Sequence, residues 1–136
     1  MGGVFIDTNI LVYAVDKDAG EKSIKAKAAL APFYQTDRRP MVSAQVVHEF
    51  SFRLYRWGLT DQQVRPFIEP MRYWQIIPND FSLYEQGIVL KQKHRVSFWD
   101  CLILAAAQRA GADELWSEDF NTGQMYGGVR AVNPLL

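Results

Sequence analysis

Short apolar runs alternate along the chain with longer segments whose apolar residues recur at helical spacing. Residues 4–6 form a wholly apolar run of strand-forming residues, and Asp7, Thr8 and Asn9 after it are types that favour helix starts. Residues 21–34 place apolar side chains on one face and lysines on the other, which is typical of an amphipathic helix. The N-terminal part therefore predicts a buried strand that leads into helices.

The same alternation continues to the C-terminus. Ser43 is placed to cap a helix, and Thr60 with Gln63 matches a capping box. Pro66 and Pro70 predict that the helix after this box is kinked or broken. The remaining predicted elements are strands at residues 41–42, 76–77, 114–117 and 129–132, and helices at residues 10–15, 44–57, 80–94 and 97–110.

Strands separated by helices need crossover connections, and these favour a parallel sheet. We therefore predict an α/β fold with a central parallel sheet of four to five strands, covered by helices on both faces. No repeat, low-complexity tract or linker divides the sequence, so residues 1–136 are predicted to form one domain. In such sheets ligands bind at the carboxyl ends of the strands.

The composition of the chain argues against several classes of protein. A chain of 136 residues, 49% of them hydrophobic, can bury a core without a disulfide or structural zinc. The single cysteine, Cys101, indicates a reducing, cytoplasmic location. Uncharged runs are too short to span a bilayer, and Asp7 falls where a secretory signal would be apolar. The 15 basic and 15 acidic residues cancel, which counts against bulk positive charge but leaves room for a local basic face.

Four acidic residues lie where solvated surface groups are not expected. Asp7 and Asp119 follow predicted strands, whereas Glu49 and Asp100 lie near the starts of helices, beside apolar residues. Each has an ordinary explanation alone: Asp7 could be a helix N-cap, and Asp100 could be the N3 acid of a capping box that Ser97 begins. Because the fold brings all four to one edge of the sheet, a carboxylate cluster is the leading hypothesis.

The electrostatics of such a cluster predicts a metal site. Two carboxylates about 5 Å apart repel by about 3 kcal/mol at an effective dielectric near 20, so the cluster must protonate or bind cations. Ligands that are all oxygen suit Mg²⁺ or Mn²⁺ rather than Zn²⁺, and such ions promote phosphodiester hydrolysis. Thr8, Asn9 and Ser117 can support the acids by hydrogen bonds, although simple capping explains them equally well. His48 and His94 are not expected to be catalytic.

The acids stand in segments that resemble a known family. Residues 4–14, VFIDTNILVYA, look like the first motif of PIN-domain nucleases, especially the VapC-type toxins of bacterial toxin–antitoxin pairs. The likeness continues in SAQVVHEF, SFWDCLILAAA and LWSEDFNTGQ, and it covers nearly the whole chain. The resemblance implies that the following residues are catalytic and bind metal: Asp7, Glu49, Asp100 and Asp119.

In the resembled family these acids are surrounded by polar residues, here Thr8, Asn9 and Ser117. Asp119 takes the least constant position of the pattern, and Glu118 beside it is the alternative fourth acid. Strand alternation would point Glu118 elsewhere. The resemblance further implies an α/β/α domain, an endoribonuclease that depends on Mg²⁺ or Mn²⁺, a homodimer, and inhibition by a cognate VapB-like antitoxin bound over the active-site groove.

Other functions are compatible with parts of the pattern. A haloacid-dehalogenase-like phosphatase also places an Asp after its first strand, but it needs a second Asp where this chain has Asn9. A receiver domain needs a lysine at a strand end that is not evident here. A catalytically degenerate module that binds RNA or a partner is the non-enzyme alternative, and the presence of all four acids argues against it.

Basic and aromatic residues give fainter indications of partners. Aromatic residues between positions 50 and 74 are more numerous than a small core needs, so we expect some of them to line a dimer or antitoxin interface. Basic residues that could hold RNA phosphates, each equally compatible with a solvated surface, are Arg38, Arg39, Arg53, Arg56, Lys91, Lys93, Arg95 and Arg109.

Overall fold

The computed structural model describes residues 3–136, so the first two residues of the predicted domain lie outside the described part. The strands are β1 (Val4–Ile6), β2 (Met41–Ser43), β3 (Gln75–Ile77), β4 (Glu114–Trp116), β5 (Met125–Tyr126) and β6 (Val129–Val132). The helices are α1 (Thr8–Val15), α2 (Glu21–Gln35), α3 (Ala44–Arg56), α4 (Asp61–Ile68), α5 (Phe81–His94) and α6 (Phe98–Arg109). A 3₁₀ turn (Glu69–Tyr73) follows α4.

One sheet contains the six described strands in the order β3-β2-β1-β4-β6-β5. The first five in this order are parallel, as predicted, and β5 is antiparallel to β6. The expected number of strands was too low because β5 has two residues, too few to show a periodic pattern. Gly127 and Gly128 join β5 to β6, and this glycine pair between apolar residues was the available signal for a hairpin.

The order of the strands explains why helices cover both faces. From β1 the chain moves to β2 and then β3 in one direction, and it returns to β4 on the other side of β1. Right-handed crossovers therefore place α1 to α4 on one face of the sheet and α5 and α6 on the opposite face. The helices within each group pack against one another. The predicted α/β fold is confirmed, and the change of direction leaves a crevice at the carboxyl ends of β1 and β4.

The core includes both faces of the central strand. All three residues of β1 are buried, since helices cover the sheet on each side. The middle of α6, from position 101 to 107, is buried on all sides and includes the free thiol of Cys101. None of the helices in residues 3–136 is both long and apolar enough to cross a membrane.

Local capping sets the helix starts that the sequence predicted. The Ser43 hydroxyl accepts a hydrogen bond from the backbone N–H of Val46, and Thr60 and Gln63 form the expected capping box. The predicted break after this box is present, since α4 gives way to the 3₁₀ turn at Glu69. Pro66 lies inside α4, and the helix ends at Ile68 because Pro70 cannot donate the next helical hydrogen bond.

Candidate metal centre

Asp7 lies at the carboxyl end of β1 and begins α1. Its backbone N–H donates to the carbonyl of Trp116 at 2.9 Å, which continues the pairing of β1 with β4. Its Oδ1 accepts from the N–H of Thr8 at 2.7 Å, and its Oδ2 accepts from the hydroxyl of Ser117 at 2.8 Å. The side chain is 4% exposed. Asp7 is thus the N-cap considered from the sequence, and it is also a buried carboxylate at the crevice.

Three carboxylates converge at this point. One oxygen each from Asp7, Asp100 and Asp119 lies within 4.8 Å of the others, and we call these residues the carboxylate trio. Asp100 is in the first turn of α6, where its backbone N–H donates to the hydroxyl of the N-cap Ser97 at 3.2 Å. Asp119 follows β4, and its N–H donates to the hydroxyl of Ser117 at 3.0 Å. The fold therefore assembles acids that are far apart in the sequence.

Glu49 lies beside the trio but is not part of it. Its Oε1 accepts from the hydroxyl of Thr8 at 2.6 Å, and its Oε2 accepts a longer hydrogen bond from Gln45 Nε2 at 3.5 Å. Its negative charge raises the pKa of Asp100, so the two carboxylates share one electrostatic environment. The structure thus brings three of the four predicted acids together and places the fourth next to them.

Asp119, and not Glu118, enters the trio. The carboxylate of Glu118 accepts from the hydroxyl of Tyr13 and from Lys22 Nζ, the latter at 3.1 Å. These contacts hold Glu118 toward α1 and α2. Asp119 Oδ2 instead accepts from Asn9 Nδ2 at 3.0 Å. The geometry thus separates the two candidates for the fourth acidic position.

Burial and the repulsion of neighbouring charges raise the pKa of two members of the trio, Asp7 and Asp100. Burial raises the pKa of Asp7 from 3.8 to about 7, even though hydrogen bonds from Ser117 and Thr8 lower it, and the charges of Asp119 and Asp100 raise it further. Burial is also the main cause that raises the pKa of Asp100. A divalent cation would relieve both effects because it favours the ionised carboxylates.

The donor set fits a hard divalent cation. The trio supplies carboxylate oxygens alone, which are the ligands that Mg²⁺ and Mn²⁺ take in proteins. The side-chain oxygen of Gln45 is also buried here, and it has no hydrogen-bond partner among residues 3–136. An acceptor left unpaired in a buried position is costly, so a bound water or ligand would satisfy it.

The three predicted supporting residues each contact an acid. Thr8 donates to Glu49, Asn9 donates to Asp119, and the fully buried Ser117 donates to Asp7. Each of the three also contributes to the local structure, so a capping role and support of the acids are compatible. Asn9 Nδ2 lies 3.3 Å from the Ser117 hydroxyl as well, which links the ends of β1 and β4.

Sequence reasoning missed Gln45. Its Nε2 contacts Glu49 and also donates to the carbonyl of Trp99 at 3.4 Å, so it ties α3 to the start of α6. The spacing of four residues between Gln45 and Glu49, on one helix face, was the available signal. The contact with α6 could not be foreseen because it depends on the packing of the two helices.

The trio and Glu49 line a groove of about 740 Å³, which we call the acidic groove. Neither histidine is among the groove-lining residues, and His94 packs instead against the ring of Tyr126 at 5.0 Å. The described residues that line the groove are Asp7, Thr8, Asn9, Val12, Tyr13, Gln45, Glu49, Phe52, Arg53, Arg56, Trp57, Trp99, Asp100, Ile103, Glu118 and Asp119.

Comparisons with solved structures support the fold. The chain is similar to a chain of a toxin–antitoxin complex from Klebsiella pneumoniae, with 23% identity, 97% of this chain and 98% of that chain covered, and a TM-score of 0.72. It is also similar to VapC20 from Mycobacterium tuberculosis, a sarcin-ricin loop cleaving toxin, with 17% identity, coverage of 86% and 90%, and a TM-score of 0.65. FitAcB from Neisseria gonorrhoeae shows 18% identity, coverage of 96% and 97%, and a TM-score of 0.63.

No curated protein matches the sequence significantly. The sequence pattern of the PIN domain family, however, matches residues 4–126, which include the four acids that the resemblance singled out. The match therefore spans β1 to β5 and includes all three residues of the carboxylate trio. The chain belongs to the PIN domain family.

Proposed function

We propose that the protein is an endoribonuclease that depends on Mg²⁺ or Mn²⁺ and that it is the toxin of a VapBC-type toxin–antitoxin pair. The observation that carries the proposal is the carboxylate trio, whose oxygens lie within 4.8 Å of one another at the crevice of a PIN domain. The family match argues against the haloacid-dehalogenase-like alternative. Asn9, which stands where that alternative needs a second Asp, donates a hydrogen bond to Asp119.

Asp7, Asp100 and Asp119 would hold the ion. When bound, such an ion polarises a phosphoryl oxygen and lowers the pKa of water. Ser117 and Thr8 fix the orientation of the Asp7 carboxylate, and Asn9 fixes that of Asp119. Asp7 and Asp119 are thereby held by neighbouring donors before substrate arrives, which limits reorganisation during the reaction.

Glu49 is the residue that we propose as the proton acceptor for the attacking water. Its Oε1 is engaged by the hydroxyl of Thr8, and its Oε2 has one long hydrogen bond from Gln45. We infer that Oε2 takes a proton from the water that attacks the phosphorus, while the bond from phosphorus to the 3′ oxygen breaks and that oxygen takes a proton from solvent water; Glu49 then returns its proton to solvent. The product strand beginning at the cut then carries a 5′-phosphate.

The partners follow from the same proposal. One structural relative is described as cleaving the sarcin-ricin loop and another comes from a toxin–antitoxin complex, which supports an RNA substrate and a VapB-like antitoxin. We propose that the protein acts as a homodimer in the cytoplasm and that the antitoxin inhibits it by covering the acidic groove. The partly exposed ring of Phe67, which does not line the groove, is a candidate for the dimer contact.

Growth of cells that express the protein tests the proposal. Wild type and Glu85→Gln, a control that removes an exposed acid outside the groove, should arrest growth. Asp100→Asn should not, and RNA from arrested cells should show new 5′-phosphate ends. Growth arrest by a folded Asp100→Asn variant would contradict catalysis and favour a binding role.

A further inference from the structure

One wall of the acidic groove is rich in exposed aromatic rings. The C-terminal half of α3 and the residue after it contribute Phe52, Arg53, Arg56 and Trp57, which we call the α3 wall. Phe52 is 60% exposed and Trp57 is 39% exposed. Large rings left in solvent beside a concave site usually mark a binding surface.

The two arginines of this wall are available to bind an anion. The Arg53 guanidinium lies over the ring of Trp57 at 5.5 Å, and that of Arg56 lies over the ring of Phe52 at 5.8 Å. Within residues 3–136 neither arginine forms an ion pair. The rings limit the freedom of the guanidinium groups without neutralising them. Two unneutralised cations therefore stand in the same groove as the acids.

Trp99 adds a ring directly beside the trio. It precedes Asp100 in the first turn of α6, its ring is 60% exposed, and it packs edge-on against Phe98 with ring centroids 4.9 Å apart. Its backbone carbonyl accepts from Gln45, which anchors this turn to α3. The position of the ring is thus set by a neighbouring ring and by a backbone contact, while most of its surface is free.

We propose that the α3 wall and Trp99 form a nucleotide subsite that selects unpaired RNA. Arg53 and Arg56 bind a phosphate next to the cut, and an unstacked base lies on the Trp99 ring. This inference rests on the proposed function, because it takes the scissile phosphate to lie at the trio.

The chemistry of the wall indicates single-stranded or loop RNA. In an A-form helix each base face is covered by its neighbours, so only an unpaired base can stack on a protein ring. Guanidinium groups over aromatic rings suit the alternation of phosphate and base along one strand. Helical RNA offers phosphates to the arginines but no base to Trp99, so it should bind more weakly.

Binding measured in EDTA tests the subsite separately from cleavage. Fluorescence anisotropy would compare a labelled unpaired oligoribonucleotide with the same strand annealed to its complement. Wild type should bind the unpaired strand at least about tenfold more tightly, since stacking on one ring contributes about this much. Trp99→Leu should remove this preference, and Trp99→Phe should retain most of it because the ring remains.

Matched variants outside the groove give the controls. Tyr73→Ala removes a ring that is 69% exposed, and Arg130→Ala removes an exposed arginine; neither residue lines the groove. Both should bind as wild type does. Replacing Arg53 and Arg56 with alanine should weaken binding of either RNA, and the negative slope of log K against log salt should become shallower by about 0.7 for each lost phosphate contact.

Equal binding of the paired and unpaired strands would overturn the subsite, as would a Trp99→Leu variant that behaves like Tyr73→Ala. Binding of an acidic peptide but of neither RNA would also overturn it and would assign the wall to a protein partner. Normal selective binding without any cleavage in Mg²⁺ would contradict the proposed nuclease and leave the subsite in place.

Discussion

Asp7 combines a structural and a chemical role in one carboxylate. Its two oxygens accept hydrogen bonds from the first turn of α1 and from Ser117 after β4, which favour the charged form. Burial opposes that form and raises its pKa to about 7. Near neutral pH the residue therefore lies close to its titration midpoint, and a divalent ion would shift it to the carboxylate.

Replacing Asp7 with Asn should stabilise the metal-free protein at pH 8. The folded-state pKa of about 7 lies above the ordinary 3.8, so folding takes up a proton between these values and the free energy of unfolding falls as pH rises from about 4 to 7. Asp7→Asn removes this loss, which amounts to at most about 4 kcal/mol above pH 7. Urea unfolding in EDTA should show the gain at pH 8 and little of it at pH 4. A loss of stability at pH 8 would mean that the charged carboxylate is needed for the fold.

The neighbouring acids Glu118 and Asp119 should differ in their effect on cleavage. Asp119→Asn removes a member of the trio and should reduce RNA cleavage by more than the roughly 10–100-fold typical of residues that surround a metal ligand. Glu118→Gln changes a group held by Tyr13 and Lys22, and it should keep most of the activity. Initial rates at saturating Mg²⁺ measure both. The reverse order would make Glu118 the functional acid.

Among the elements, those set by local chemistry were predictable from the sequence. Ser43, Thr60 and Ser97 cap helices where the pattern placed them, because a cap depends only on residues within one turn. The two-residue strand β5 was missed, since it exists only by pairing with β6.

The candidate site likewise combines contacts that the sequence could predict with contacts that it could not. The convergence of Asp7, Asp100 and Asp119 followed from the topology, because parallel strand ends meet at one edge of the sheet. The contact of Gln45 with Trp99 and the offset of Glu49 from the trio depend on how α3 packs against α6. No local sequence pattern encodes that packing.

The N-cap of α6 allows a stability test of a single element. Ser97→Ala removes the acceptor for the backbone N–H of Asp100, and it should lower the free energy of unfolding by about 1 kcal/mol. Ser82→Ala, which changes an exposed serine inside α5 with no hydrogen bond to the described chain, should change it little. Urea denaturation would measure both. Equal values for the two variants would show that the Ser97 cap contributes nothing.

For the whole molecule, the zero net charge conceals an uneven distribution. The chain has 15 basic and 15 acidic residues, and five of the acids, which are the carboxylate trio with Glu49 and Glu118, line the acidic groove. The other 10 acids are outnumbered by the basic residues, two of which stand unneutralised on the α3 wall. Net charge alone therefore says little about RNA binding, whereas the placement of the arginines is informative.

Divalent metal should stabilise the folded protein as a whole. An ion that binds only the folded state adds about 2.7 kcal/mol to the free energy of unfolding at 100 times its Kd. Thermal unfolding of wild type should therefore shift upward as Mg²⁺ or Mn²⁺ is added, and Asp100→Asn should show a much smaller shift. Equal shifts in the two proteins would place the ion elsewhere.

Cleavage of one labelled RNA with an unpaired stretch, by purified wild type and Asp100→Asn in Mg²⁺ and in excess EDTA, tests the central claim most directly. We predict products with 5′-phosphate ends from wild type in Mg²⁺, none in EDTA, restoration when Mg²⁺ is added back, and none from Asp100→Asn in either condition. Cleavage that persists in EDTA, or that the variant retains, would contradict a metal-dependent nuclease built on the carboxylate trio.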